Sequence, residues 1–153
     1  MQVFRLAREA YAHSLSGKGA ALYGGRWNSP GVEMIYTAGN RSLAMAEVAV
    51  HVTLATLPPD YRMISILIPD SVTIKKMRIN QLPEQWQIFP HPIATQSIGD
   101  AFIFSNTHAV LQIPSVVTQG DFNFLINPMH PDFKKIKIQS VEPFPFDARL
   151  LKK

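Results

Sequence analysis

Tyr61 to Ile68 sets Tyr61, Met63, Ser65 and Leu67 against Arg62, Ile64, Ile66 and Ile68. That period of two fits a half-buried strand and no helix. The same signature recurs along the chain. Val32 to Thr37 places Val32, Met34 and Tyr36 on one face and Glu33, Ile35 and Thr37 on the other. His108 to Val117 reads as a strand that breaks at Pro114, which lacks the ladder donor, so that Ser115 follows a kink. Phe122 to Ile126 is a short strand, and Lys134 to Val141 a last one with Lys135, Lys137 and Gln139 outward. Val3 to Leu6 reads as a short edge strand carrying Arg5, and Val72 to Ile79 as extended. Helical spacing is rarer. Leu43, Ala46, Val50 and Leu54 follow it, with Asn40 or Ser42 as N-cap and Pro58-Pro59 as the stop. Thr95 to Asn106 follows it with Ile98, Ala101, Phe102 and Phe104 as its face, weakened by Gly99. Arg8 to Ser14 reads as a helical turn, and Leu82 to Gln87, with Trp86, as a short helix or turn. About six or seven strands and two or three helices predict an α+β fold, mainly antiparallel, in one domain over residues 1–153.

Chemistry concentrates between Leu22 and His51. Gly24, Gly25, Ser29, Pro30 and Gly31 bracket Arg26, Trp27 and Asn28, so these three form a shaped loop of the kind that approaches ligands. Tyr36 lies near the end of the strand that follows. From Ser42 to Pro59 the only formally charged side chain is Glu47, with His51 one turn later. A carboxylate among Ala, Val and Met loses hydration at a cost of several kcal/mol unless it is paired or hydrogen-bonded. Glu47 is therefore either the wet stripe of an amphipathic helix or part of a site.

Composition removes whole reaction classes. With no cysteine there is no disulfide framework, thiolate zinc site or thiol nucleophile. His13, His51, His91, His108 and His130 are scattered without HxxxH or HxH spacing, so no metal site is expected. The glycine loop has no GKS or GKT and no third glycine at dinucleotide spacing, and Ser115 in IPSVV is no nucleophile elbow. Fifteen Lys and Arg against eleven Asp and Glu give +4. That suits an anionic ligand. Lys75-Lys76-Arg78, Lys134-Lys135-Lys137 and Lys152-Lys153 are separate short clusters that read as solvated strand ends and a tail. A non-catalytic RNA- or DNA-binding module is the remote alternative, and nothing reads as direct nucleic-acid or membrane binding. The N-terminus lacks an apolar leader, so a cytoplasmic protein is expected.

An arginine, a tyrosine, a serine and a desolvated glutamate can together hold a dinucleotide and break its nicotinamide–ribose bond. Arg26 can grip pyrophosphate or a ribose-linked phosphate through a charge-assisted fork, and Tyr36 can stack on the flat nicotinamide ring. Glu47 can accept from the ribose 2′-hydroxyl, which would place negative charge beside an oxocarbenium-like transition state. Ser115 assists rather than attacks.

The chain resembles the RES-domain toxins of bacterial toxin–antitoxin pairs. The likeness rests on LYGGRWNSPG at 22–31, IYTA at 35–38, AEVAVH at 46–51, IGDAF at 98–102, LQIPSVV at 111–117, NFLINPMHPDF at 123–133 and FDARL at 146–150. It implies a fold related to ADP-ribosyltransferases of the diphtheria-toxin type. It implies NAD+ as a consumed substrate, with no prosthetic group. By position it implies Glu47, Arg26 and Ser115 as catalytic residues and Arg26, Tyr36, Ser115 and Asn127 as NAD+-binding ones. Asn127 has a rival role, capping the turn at Pro128, and Arg5 is a weaker candidate. Phe102 departs from the larger aromatic of many relatives. An antitoxin with a helix-turn-helix DNA-binding region is the implied partner, and a homodimer is compatible with the pattern. The implied activity is depletion of NAD+ by a glycohydrolase or phosphorylase-like reaction, with ADP-ribosyl transfer to a host protein as the alternative.

Overall fold

The computed structural model describes residues 1–151; the Lys152-Lys153 cluster lies outside the described residues. Seven strands form one sheet: β1 (Gln2–Arg8), β2 (Ile35–Ala38), β3 (Tyr61–Leu67), β4 (Ile74–Lys76), β5 (Val110–Pro114), β6 (Phe122–Ile126) and β7 (Lys137–Pro143). Their order is β4-β5-β6-β2-β1-β3-β7, antiparallel except for the parallel pair β4 and β5. Three helices accompany the sheet, α1 (Lys18–Tyr23), α2 (Arg41–Ala49) and α3 (Ile93–Ser105). The α+β expectation is met.

The sheet nearly divides at its centre. β1 pairs with β3 along its whole length, from Gln2↔Leu67 to Arg8↔Tyr61, but with β2 only at Phe4↔Ala38. One sheet face buries Val3, Ile35, Ile64, Ile66, Val110 and Ile126 in a continuous cluster. The opposite face holds two separate clusters. Trp27, Met34, Trp86, Phe102, Leu111 and Leu125 gather beside α3, and Leu6, Ala38, Leu43, Ala44 and Met63 beneath α2. The gap between these two clusters, over the β1–β2 division, is where a cleft opens.

Several sequence expectations are corrected by where backbone bonds go. The Val3–Leu6 segment is no edge strand, because β1 is flanked by β2 and β3. β2 begins only at Ile35, since the carbonyl of Val32 accepts from Asn28 Nδ2 at 2.9 Å and the Val32 amide donates to the carbonyl of Ser29. α2 ends at Ala49 and not at Pro58. Thr53 and Thr56 cap each other reciprocally and start a separate 3-10 turn at Leu54–Thr56, drawing the backbone out of the helix. Val50 and Leu54 are consequently exposed. In α3 the buried face is Thr95, Gly99, Phe102 and Ile103, whereas Ala101 and Phe104 face out. Gly99 weakens nothing: a Cβ there would lie 1.6 Å from the Trp27 carbonyl oxygen, so the helix meets the Arg26 loop backbone-to-backbone. The last strand starts at Lys137, because Lys134 and Lys135 belong to the 3-10 turn Pro131–Lys135, where Lys135 pairs with Asp132 at 2.7 Å. α1, in a stretch too rich in glycine to advertise a helix, was not anticipated.

Candidate active site

The Arg26 loop is built from inside. Gly24 adopts φ +70°, and at Gly25 a Cβ would come within 2.8 Å of the Tyr36 hydroxyl. Asn28 is fully buried, with Nδ2 donating to the carbonyls of Ala20 and Val32 at 2.9 Å and Oδ1 accepting from the Tyr36 hydroxyl at 2.7 Å. The same tyrosine oxygen accepts from the Trp27 amide at 3.1 Å. From the far side α3 clamps the loop. Gln96 Nε2 donates to the Gly25 carbonyl at 3.0 Å, and Asp100 takes both the amide and the hydroxyl of Ser29 at 2.9 and 2.6 Å. None of these clamps shows in periodicity; only the proximity of α3 reveals them.

So held, Arg26 donates through Nη1 to the carbonyls of Trp86 and Ile88 at 2.7 and 2.9 Å, leaving Nε and Nη2 for other acceptors. It lines a cleft of about 740 Å³, together with Tyr36, Glu47, Arg5, His51 and His91. That volume lies in the range of ordinary small-molecule sites, about 300–1,000 Å³. Arg5 points into the same cleft and finds only the Ser16 carbonyl, at 3.5 Å. Burial lowers the pKa of both guanidinium groups, which reads as the cost of desolvating a charge and not as its loss. Among the described residues neither arginine forms an ion pair, and neither does Glu47. Two cations that form no direct ion pair outnumber the single Glu47 carboxylate in the cleft, an arrangement suited to an anionic ligand.

Glu47 reaches the cleft from α2, whose start is fixed by Asn40 Oδ1 accepting from the Leu43 amide at 2.7 Å. Burial raises its carboxyl pKa, opposed by the nearby Asn123 amide and the Ser115 hydroxyl and by the neighbouring His51 and Arg26. Ser115 is buried behind it, with Oγ 3.5 Å from Glu47 Oε1 and accepting from the Val117 and Thr118 amides at 3.1 and 3.0 Å. Ser115 therefore backs the carboxylate and does not line the cleft. Burial pushes the Tyr36 phenol well up, so it remains a hydroxyl and offers its ring to the cleft.

Asn127 does not join them. It is fully buried, with Nδ2 donating to the Ile103 carbonyl and Asn106 Oδ1 and Oδ1 accepting from the Met129 amide. Its amide is consumed fixing the end of α3 to the loop at Pro128, the turn-capping role. Arg5, the weaker candidate, lines the cleft instead. His91 and Phe89 are cleft residues that sequence reading missed, because the prolines around them mark only a break in pattern. Among the described residues no cluster of three or more His, Asp or Glu could hold a metal ion, and no helix is long and apolar enough to cross a membrane.

The sequence profile described as the RES domain matches residues 2–147. A protein of Sphingobium sp. named "Prs ADP-ribosylating toxin" is 38% identical over 149 residues, covering 96% of this chain and 92% of its own. Proteins named "Toxin Res" from Photorhabdus laumondii and Yersinia enterocolitica are 38% and 35% identical, covering 99% and 98% of this chain and 98% and 99% of theirs. Among solved structures, the M. tuberculosis MbcT–MbcA toxin–antitoxin complex matches with TM-score 0.74 at 21% identity, over 98% of this chain and 86% of that one. At that identity the likeness speaks to the fold.

Proposed function

The chain belongs to the RES-domain toxin family, and from that premise we propose that it binds NAD+ in the cleft and breaks the bond between nicotinamide and ribose. One observation carries the reading: a half-buried carboxylate without an ion-pair partner, Glu47, shares a cleft with two guanidinium groups that also lack one, Arg26 and Arg5. The arginines hold the pyrophosphate, and the Tyr36 ring takes the nicotinamide. Glu47 accepts from the ribose 2′-hydroxyl and, as charge develops at C1′, stabilises the sugar cation electrostatically. The C1′–N bond breaks with its electron pair going to nicotinamide, which departs neutral and needs no acid. Water adds to C1′ and gives up a proton, yielding ADP-ribose. In a cell the result is loss of NAD+ and arrest of growth.

The name of the Sphingobium relative favours a second reading, in which a protein side chain takes the place of water. Incubation with adenylate-labelled NAD+ separates them: free labelled ADP-ribose supports hydrolysis, and label fixed on a host protein supports transfer. Release of no nicotinamide under either condition sinks both. We place the chain with an antitoxin partner, in keeping with the toxin–antitoxin complex of its structural neighbour. A helix-turn-helix region in that partner and a cytoplasmic location are further parts of the proposal.

A further inference from the structure

His91 lines the cleft, and among the described residues its Nδ1 is a buried side-chain atom without a hydrogen-bond partner. Nε2 is not shut away in this manner. A buried N–H without an acceptor is the rarer and costlier kind of orphan, so the lone pair belongs on Nδ1 and the proton on Nε2. The fold thereby selects the tautomer. Charging the ring would put a second N–H where no acceptor waits and add a cation beside Arg26 and His51. Burial first, then the nearness of Arg26 and of His51, holds His91 below the usual histidine range. Phe89 stands edge-on to the imidazole at 5.2 Å and 85°, fixing its plane. The chain just before it is tied to Arg26 Nη1 through the Trp86 and Ile88 carbonyls.

A neutral, oriented N–H donor is thus carried on the segment that the Arg26 guanidinium anchors. We propose that His91 is a substrate-binding residue whose Nε2–H donates to a diphosphate oxygen of the dinucleotide beside Arg26. The inference rests on the reading of the cleft as a dinucleotide site and adds to it a specific contact. The nicotinamide end is assigned to the Tyr36 ring and its ribose to Glu47. The donor coupled to Arg26 is left for the acceptor that Arg26 itself attracts. A neutral donor adds a hydrogen bond to that anion without a further desolvated charge.

The test is calorimetric titration of ADP-ribose and of NAD+ into the Glu47→Gln chain, in which the expected loss of turnover lets NAD+ persist through the measurement. In that background His91→Phe, which keeps the ring and removes both nitrogens, should weaken binding of both ligands about tenfold, equivalent to about 1.4 kcal/mol. His91→Gln, whose amide nitrogen falls near the Nε2 position, should restore most of it, and His91→Asn should not. Equal affinity across these variants overturns the proposal, as does a loss seen with NAD+ and not with ADP-ribose, which would place the ring on the nicotinamide half. Should His91→Phe not fold, the Gln and Asn pair decides alone. If neither the Glu47→Gln chain nor the unaltered chain binds ADP-ribose, the dinucleotide reading itself fails and this inference with it.

Discussion

Ser115 Oγ lies 3.5 Å from Glu47 Oε1 while it accepts from two backbone amides, those of Val117 and Thr118. The hydroxyl is polarised by those amides and has its own proton to offer to the carboxylate. Sixty-eight positions apart in sequence, the two residues form one unit: the serine stabilises the ionised state of an acid that burial disfavours.

Glu47→Gln should leave the fold intact and reduce nicotinamide release by about 10²–10³-fold, the usual scale for deleting one preorganised electrostatic group. Quantified nicotinamide from purified protein checks it; full turnover in a folded Glu47→Gln chain refutes the assignment.

The same substitution predicts a pH signature. Because the folded pKa of Glu47 is raised above its ordinary value of 4.5, the folded chain binds more protons than the unfolded chain between the two values. Stability contributed by this group is therefore present at low pH and declines as pH rises through that window. Glu47→Gln should raise the unfolding temperature by a few degrees at pH 7, and the gain should vanish below about pH 4.5, the unfolded value. A constant difference across pH would contradict a desolvated carboxylate.

Ser115→Ala removes the acceptor of two amides and one neighbour of Glu47. We expect a stability loss of about 1–3 kcal/mol by chemical denaturation. Catalysis should persist, with its acidic limb shifted to higher pH because Glu47 loses a group that favours its charged form. An unmoved limb would separate Ser115 from the carboxylate.

Arg26→Lys should weaken NAD+ binding nearly as much as Arg26→Ala, by about 1.5–3 kcal/mol, because an ammonium cannot hold the Trp86 and Ile88 carbonyls and still present a fork. Binding titrations in the Glu47→Gln background measure this. Full affinity in the lysine variant would mean that charge alone matters.

Gly99→Ala should destabilise the chain by at least about 1–3 kcal/mol, since the new methyl has to displace the Trp27 carbonyl. The same displacement moves the Arg26 loop, so KM for NAD+ should rise even where the variant folds. A rise in stability, as expected for an ordinary helical glycine, would show that the contact is soft.

Local chemistry was legible without coordinates where it depends on neighbours in sequence. Tyr61–Leu67 and Phe122–Ile126 carry their strand period openly, and the isolation of Glu47 among apolar residues left a wet stripe and a site both open until burial settled it as a carboxyl with raised pKa. Motif likeness pointed to Arg26 and Tyr36, which line the cleft, and to Ser115, which stands behind Glu47 and not in the cleft wall. The extent of α2 was misjudged because Val50 and Leu54 keep helical spacing beyond the point where the Thr53–Thr56 cap draws the backbone away.

Sequence alone determined the two kinds of element, the place of the glycine loop and the isolation of one carboxylate in an apolar stretch, because each follows from residues within a turn or two of one another. Tertiary structure decided the rest. It opened the sheet between β1 and β2, assigned Asn127 to a loop and Arg5 to the cleft, and placed His91 beside Arg26. Those outcomes depend on strand order and on which buried polar group finds a partner across the fold, and neither is written in local spacing.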